Sequence, residues 1–196
     1  VKNVFTSRLF CAKMYLTLRF GKGCDPVKKI LVVVDYQNDF VNGSLGFEGA
    51  ERLDEAICRK IDEYAGDEIV HTLDTHGSDY LDTYEGRNLP VPHCIKGTEG
   101  HRNYGKTAQK LEGTRSFEKS SFGSLELGEY LKRGGYDLVE LCGLVSNICV
   151  LSNAVIARAA LPDAEIIVDP ECTASADGEL NAAALAVLKG IQITVP

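Results

Sequence analysis

The stretch KILVVVD, residues 29–35, decides the fold class. Its centre is the aliphatic run ILVVV, in which β-branched residues predominate. A near-continuous apolar run of this length is typical of a strand that is buried on both faces of a parallel sheet. The run is far too short to cross a bilayer, so we expect no membrane span.

Other segments repeat the pattern and alternate with helical ones. The predicted strands after the first are DEIVHTLD (67–74), YDLVELCGL (136–144), AEIIVDP (164–170) and a last strand IQITV (191–195). The predicted helices lie in GAERLDEAICRKIDEYAG (49–66), GSLELGEYLKRGG (123–135) and ELNAAALAVLKG (179–190). Alternating strands and helices predict one three-layer αβα domain with a mainly parallel sheet over residues 28–196.

Charge and cysteine content limit the class of partner. The net charge is −7, and phosphate binding needs clustered basic residues, so we expect no nucleic-acid partner but a small-molecule one. The seven cysteines form no C-x-x-C pair, which argues against a disulfide scaffold. We therefore expect reduced thiols and a cytoplasmic protein.

The first 27 residues differ from the rest in charge. They contain five basic residues and a single acid, Asp25, a composition that resembles an organellar transit peptide. We expect residues 1–27 to be an extension outside the fold.

Reactive side chains follow the predicted strands at their carboxyl ends, where ligands of open α/β sheets bind. Asp35 ends the first strand, Asp74 ends the second and is followed by His76, and the strand at 136–144 leads into a turn that contains Cys149. Three strands therefore deliver reactive groups to one edge of the sheet.

The turn LVSNIC offers a candidate nucleophile. With Ser146 as the helix N-cap, Cys149 would be the third helical residue, where the helix N-terminus favours a thiolate. Asp35 could accept the thiol proton, and Lys119, in EKSSFGS, could stabilise the thiolate. Each residue taken singly has a structural alternative: Cys149 could be a buried core thiol, Asp35 a strand-end carboxylate and Lys119 a surface lysine.

A second cluster suits a transition metal. Asp74, His76 and His93 provide one carboxylate and two imidazoles, a set typical of zinc, iron or manganese. Glu85 or Asp82 could add an oxygen ligand, and a hydrogen-bonded polar loop is the alternative. We do not expect His71 or His101 to be ligands.

The segment GHRNYGKT, residues 100–107, fits the Walker A pattern, but a nucleotide site is not expected. A functional P-loop follows a buried strand directly. Here the preceding segment, NLPVPHCIKGTE, contains two prolines that would break a central strand.

The motifs VVVDYQNDF, DTH, PHCIKGT, EKSSFGS and CGLVSNICV together resemble those of the isochorismatase-like cysteine hydrolases, and most closely the nicotinamidases. The resemblance covers residues 29–195. It implies a catalytic triad, a cis peptide between the last two residues of GLV, an oxyanion hole of two backbone N–H groups, substrate contacts and a metal set. By motif position, the resemblance implies a triad of Asp35, Lys119 and Cys149 and a cis peptide between Leu144 and Val145. It places the oxyanion hole at the N–H groups of Val145 and Cys149, and the substrate contacts at Phe40 and Leu144. The implied metal ligands are Asp74, His76 and His93, with Glu85 as an added ligand.

The resemblance further implies hydrolysis of the linear C–N bond of nicotinamide through a thioester, as a step of NAD salvage. It also implies a homo-oligomer that holds a divalent metal, with zinc preferred to iron or manganese. Two departures weaken the substrate assignment: Pro90 replaces the usual aromatic residue three positions before the second metal histidine, and the chain has no tryptophan. Another small amide, ureide or carbamoyl compound is the alternative substrate. A non-catalytic binding module is the alternative from another class.

Overall fold

The computed structural model describes residues 26–196, so the predicted extension at 1–27 lies outside the described residues except for its last two. In the described part of the chain, no helix is both long enough and apolar enough to span a membrane.

The centre of the structure is a parallel sheet. Its strands are β1 (Lys29–Val34), β2 (Glu68–Asp74), β3 (Arg115–Lys119), β4 (Leu138–Leu144) and β5 (Glu165–Ala174). Their order is β3-β2-β1-β4-β5, and every neighbouring pair is parallel. Because β1 is central, both of its faces must be covered by other elements, which accounts for its continuous apolar run.

Helices and single turns connect the strands. The α-helices are α1 (Asn38–Val41), α2 (Leu53–Glu63), α3 (Tyr84–Asn88), α4 (Gly105–Lys110), α5 (Leu125–Gly134), α6 (Leu151–Ala160) and α7 (Gly178–Gly190). Two 3₁₀ turns cover Ala50–Arg52 and Tyr80–Asp82, and a π-helical turn covers Ser146–Val150.

Alternate residues of β1 enter two separate cores. Ile30, Val32 and Val34 pack in one core with residues of α5 and α6. Leu31 and Val33 pack in the other core with residues of α1 and α2. The expected three-layer α/β architecture is confirmed, with one hydrophobic core on each side of the sheet.

The predicted last strand, IQITV, is wrong as a strand. Thr194 makes a single parallel bridge to Ile167, and the residues around it do not extend the ladder. The N–H of Ile193 instead donates to the carbonyl of Leu188, and Gln192 has a φ of +64°. The segment therefore closes the end of α7, and this use of the backbone prevents a regular strand.

Strand β3 was not predicted. Its sequence, RSFEK, contains one large apolar residue, Phe117, and only Phe117 and Lys119 are buried. An edge strand pairs on one side only, so it needs fewer apolar residues than a central strand. The periodicity of the sequence therefore does not reveal it.

His71 lies within β2 and is not part of the set formed by Asp74, His76 and His93. Its Nδ1 lies 2.9 Å from Oγ1 of Thr114, whose own hydrogen is donated to the carbonyl of Leu111. His71 must therefore donate from Nδ1. Burial lowers the pKa of His71 from 6.5 to about 4.

This lowered pKa predicts an acid-sensitive contribution to stability. The contribution of neutral His71 is complete above pH 6.5 and is lost as the pH falls to about 4. Relative to His71→Asn, which keeps a donor near Nδ1, the wild-type free energy of unfolding should fall by up to about 3 kcal/mol over this range. Urea unfolding at several pH values measures the difference. His101→Asn is the control with a less buried imidazole, and parallel curves for wild type and His71→Asn would contradict the prediction.

Candidate functional site

The carboxyl edge of the sheet brings the predicted reactive groups together. Asp35 follows β1, Asp74 and Lys119 end β2 and β3, and Cys149 lies in the turn after β4. Asp74 and Lys119 are direct register partners in the parallel pair β2–β3. All four side chains are buried, although each of them is an ionisable group at a strand end or in a turn.

Lys119 lies at the centre of this group. Its Nζ is 2.6 Å from Oδ2 of Asp35 and 3.1 Å from Oδ1 of Asp74. It also lies 3.6 Å from Sγ of Cys149. Burial acts to lower the pKa of Lys119, but Asp35, Cys149 and Asp74 outweigh it and raise the pKa above its ordinary value. Lys119 is therefore a charged ammonium.

The carboxylate of Asp35 has one oxygen available for proton transfer. Oδ1 accepts a hydrogen bond of 2.6 Å from the hydroxyl of Thr72. Oδ2 makes the ion pair with Lys119 but has no well-oriented hydrogen bond. Burial raises the pKa of Asp35, and the charge of Lys119 opposes the increase. A carboxylate with a raised pKa, whose Oδ2 is contacted by the ammonium of Lys119, is suited to act as a general base.

The turn that carries Cys149 differs from the sequence prediction. Ser146 does not cap the helix, because it is itself the first residue of the π-helical turn, and its hydroxyl donates to Oδ1 of Asn181 at 2.6 Å. Val145 occupies the position before the π-helical turn, and Cys149 is the fourth residue of that turn. The predicted lowering of the thiol pKa is also wrong. Burial first, then the charge of Asp35, raises the pKa of Cys149 well above its ordinary value, with Lys119 opposing.

Leu144 and Val145, assigned by resemblance to the substrate contacts and the oxyanion hole, directly precede this turn. The peptide bond between Leu144 and Val145 is cis. The side chain of Leu144 is fully buried in the core on the α2 side, so its backbone is the part that can face a ligand. Phe40 lies beside the metal cluster, with its ring centre 5.5 Å from that of His93.

Asp74, His76 and His93 form a compact set of potential metal ligands. One ligand atom from each lies within 4.8 Å of the others, and all three residues are buried. Nε2 of His76 is 2.9 Å and Nε2 of His93 is 3.3 Å from Oδ2 of Asp74. Nδ1 of His93 is 2.8 Å from the carbonyl of Val91, which fixes the ring and directs Nε2 into the cluster. The donor chemistry fits zinc, iron or manganese.

Asp74 joins the two clusters through its two carboxylate oxygens. Oδ2 faces the imidazoles, whereas Oδ1 accepts from Lys119. Burial acts to raise the pKa of Asp74, but hydrogen bonds from His76 and His93, followed by the charge of Lys119, lower it well below its ordinary value. Asp74 is therefore ionised and available as a ligand.

Glu85 lies near this set but not within its tight core. Its Oε1 is 3.6 Å from Nε2 of His93 and 4.0 Å from Nε2 of His76. His71 and His101 lie outside the set, as expected from the sequence, and His101 pairs with the hydroxyl of Thr75 at 2.8 Å.

Gln37 is a site residue that the sequence reasoning missed. Its Oε1 accepts from the N–H of Asp74 at 2.8 Å, and its Nε2 donates to the carbonyl of Asp74 at 2.9 Å and to that of His101 at 2.8 Å. The fully buried side chain therefore fixes the backbone of Asp74 from both sides. Its place in VVVDYQNDF, two residues after Asp35, was the available signal.

Asn153 was also missed. It is fully buried, and its Nδ2 donates to the carbonyls of Cys149 at 2.8 Å and Phe122 at 3.2 Å. Its Oδ1 accepts from the N–H of Ser124 at 3.0 Å. Asn153 thus ties the nucleophile turn to the loop that follows Lys119. The spacing of four residues from Cys149, which places both on one helix face, was the signal.

The GHRNYGKT segment has a structural use instead of a nucleotide site. The N–H groups of Lys106 and Thr107, at the start of α4, each donate to a carboxylate oxygen of Asp54 at 2.9 Å. A side chain at Gly105 would also collide with Asp54. A carboxylate therefore occupies the place at the start of α4 that a phosphate would take in a P-loop.

We predict that Asn153→Ala lowers the free energy of unfolding by about 2–4 kcal/mol, because three buried backbone groups lose their partner. The same change should alter the rate and pH profile of Cys149 alkylation, since the turn loses its tether. Asn88→Ala, which removes one exposed hydrogen bond, is the control and should cost under about 0.5 kcal/mol. Unfolding and iodoacetamide kinetics that match those of wild type would contradict the prediction.

Comparison with known proteins agrees with this geometry. Residues 29–195 match the Isochorismatase domain family. The chain is 38% identical over 145 residues, 66% of this chain and 78% of the relative, to an isochorismatase family protein named PncA from Bacillus subtilis (strain 168). It is 30% identical over 142 residues, 64% of this chain and 76% of the relative, to a nicotinamidase/pyrazinamidase of Mycobacterium tuberculosis (strain ATCC 25618 / H37Rv).

Comparison with a solved structure also shows similarity to a protein of this kind. The crystal structure of nicotinamidase/pyrazinamidase PncA from Bacillus subtilis superposes with a TM-score of 0.78 at 30% identity, covering 86% of this chain and 99% of that one. Because the family match spans nearly the whole described chain, the protein belongs to the isochorismatase family.

Proposed function

We propose that the protein is an amidohydrolase that converts nicotinamide and water to nicotinate and ammonia through a thioester on Cys149. The observation that carries the proposal is the buried ammonium of Lys119, within 3.6 Å of the thiol and in ion-pair contact with Asp35 and Asp74. The similarity to proteins named nicotinamidase/pyrazinamidase supports the choice of substrate.

In the first half-reaction, Oδ2 of Asp35 takes the proton of Cys149 and Sγ attacks the carboxamide carbon. Lys119 stabilises the thiolate as it forms. The N–H groups of Val145 and Cys149 hold the tetrahedral oxygen, a contact worth about 3–4 kcal/mol per donor in acyl transfer. When the C–N bond breaks, Asp35 returns its proton to the amine, and ammonia leaves a thioester behind.

In the second half-reaction, Asp35 removes a proton from water while the water oxygen attacks the thioester carbon. The C–S bond breaks, the acid product forms, and the proton on Asp35 returns to the thiolate of Cys149. Lys119 again stabilises the sulfur while it is negative. The residues are thereby restored to their starting state.

Asp74, His76 and His93 would hold a divalent ion, with Glu85 as an added oxygen ligand and zinc as the proposed metal. When bound, such an ion supplies a Lewis acid that anchors the pyridine nitrogen of the substrate. Gln37 and the hydrogen bond from His93 to Val91 keep the ligands in place for it.

A related cysteine hydrolase acting on another small amide, ureide or carbamoyl compound is the second candidate. Pro90 is exposed and provides no aromatic contact at the usual position. Tyr80 does not take its place, because it is buried against His76 and His93, with ring centres 4.7 and 5.0 Å away, and its hydroxyl donates to the carbonyl of Leu89. One face of a substrate ring therefore lacks the usual partner.

We also propose a cytoplasmic location, which the thiol state supports: the five cysteines within residues 26–196 are all free. A role in NAD salvage follows from the proposed substrate. Assembly into a homo-oligomer remains a prediction from the resemblance.

The first test is ammonia release from nicotinamide by the full chain. Because Asp35, Lys119 and Cys149 act as one unit, Asp35→Asn, Lys119→Met and Cys149→Ala should each lower kcat by at least about 10³-fold. Cys58→Ala, which changes a buried thiol on α2, is the control and should retain activity. Release that survives Cys149→Ala would exclude the thioester route, and no release by wild-type protein would move the assignment to the second candidate.

The second test is metal content. Wild-type protein should bind about one divalent ion per chain, and His76→Ala and His93→Ala should each reduce this at least about tenfold, as loss of a ligand weakens such sites. His101→Ala is the matched control outside the set. Elemental analysis after dialysis measures the stoichiometry. Equal metal content in all four proteins would exclude the proposed ligands.

A further inference from the structure

A cavity of about 610 Å³ opens beside the candidate site. It is bounded by the loop from Thr75 to Leu89, by Ser120–Phe122 and by Ile148. Ser120 directly follows Lys119 and Ile148 directly precedes Cys149, while His76 and Glu85 belong to or adjoin the metal set. The cavity therefore contains one ligand of the metal set, His76, and is bounded by the chain neighbours of Lys119 and Cys149.

Exposed apolar side chains surround the mouth of this cavity. Tyr84 is 80% exposed, Phe122 45%, Ile148 39% and Leu89 38%. Single exposed apolar residues are common, but four around one opening that leads to buried reactive groups mark a surface for an apolar ligand. The hydrogen bond from Asn153 to the carbonyl of Phe122 fixes the loop on one side of the mouth.

The charge of the lining residues further limits the class of ligand that the cavity can bind. The cavity is lined by the acidic residues Asp79 and Glu85, and no lysine or arginine is among its lining residues. Beyond the metal set, an anionic group such as a phosphate would meet the carboxylate of Asp79, and no lysine or arginine of the lining would compensate it. The ligand group that fits is therefore neutral.

The size of the cavity exceeds what one pyridine ring and its carboxamide need. Cavities of about 300–1,000 Å³ hold ligands of several rings, and a volume in the middle of that range leaves room beyond the reacting group. Because His76 and Glu85 line the cavity, it lies on the side of the candidate site that carries the metal set.

We propose that this cavity is an outer subsite for a neutral aryl or alkyl substituent on the acyl part of the carboxamide. The inference rests on the proposed amidase function and names its substrate class: substituted pyridinecarboxamides larger than nicotinamide. The reaction is unchanged, since water adds to the acyl carbon, the C–N bond breaks and ammonia leaves. The substituent stays on the carboxylic acid product.

The test compares the full chain on nicotinamide and on nicotinamides that carry a phenyl or butyl group at ring position 5 or 6. For at least one substituted amide, kcat/KM should equal or exceed that for nicotinamide. In Tyr84→Ala and Phe122→Ala, the ratio of kcat/KM for that amide to kcat/KM for nicotinamide should fall at least about tenfold, mainly through KM, as lost apolar contacts predict. Leu125→Ala, which removes an exposed side chain outside the cavity, should leave the ratio unchanged.

The outcomes separate the inference from the function on which it rests. Hydrolysis of nicotinamide with a ratio below one for every substituted amide would overturn the outer subsite and leave the amidase proposal standing. A ratio that stays the same in both cavity variants would also overturn it. Failure to hydrolyse any of the amides would overturn the proposed function and the subsite together.

Discussion

The buried ammonium of Lys119 is the interaction on which the rest of the site depends. Asp35 and Asp74 are buried carboxylates at one edge of the sheet, and burying two such charges without a cation would cost several kcal/mol each. Lys119 contacts both and leaves one negative charge in excess. A divalent ion on Asp74, His76 and His93 would reverse that excess, so Asp74 links the charge of Lys119 to that of the proposed metal.

The position of Lys119 explains the weakness of the sequence signal for β3. The strand must end in a lysine that points inward beside Asp74, and it lies at the sheet edge, where only one neighbour pairs with it. Arg115, Ser116 and Glu118 face solvent. The chemistry of the site therefore gives β3 a polar sequence, and the parallel register with β2, not local propensity, holds it in the sheet.

The central strands, the long helices and the reactive edge could be predicted from the sequence, because ILVVV and its equivalents are buried on both faces and end in polar residues. The edge strand could not, since it depends on a partner distant in sequence, and the end of the chain could not, since its backbone closes α7 instead. The same limit applies to Gln37, Asn153 and the bond from Ser146 to Asn181, which are fixed by hydrogen bonds across the fold. Polar residues of this kind carry no periodicity that distinguishes them from surface residues.

The thiol of Cys149 is protonated at rest, because burial and the charges of Asp35 and Asp74 raise its pKa more than Lys119 lowers it. Transfer of its proton to Asp35 moves a negative charge from the carboxylate to the sulfur. Both positions lie within 3.6 Å of the same ammonium, so Lys119 compensates the charge before and after the transfer. In the proposed mechanism, the nucleophile would therefore form by exchange of charge around a fixed cation, a step that requires little reorganisation of its surroundings.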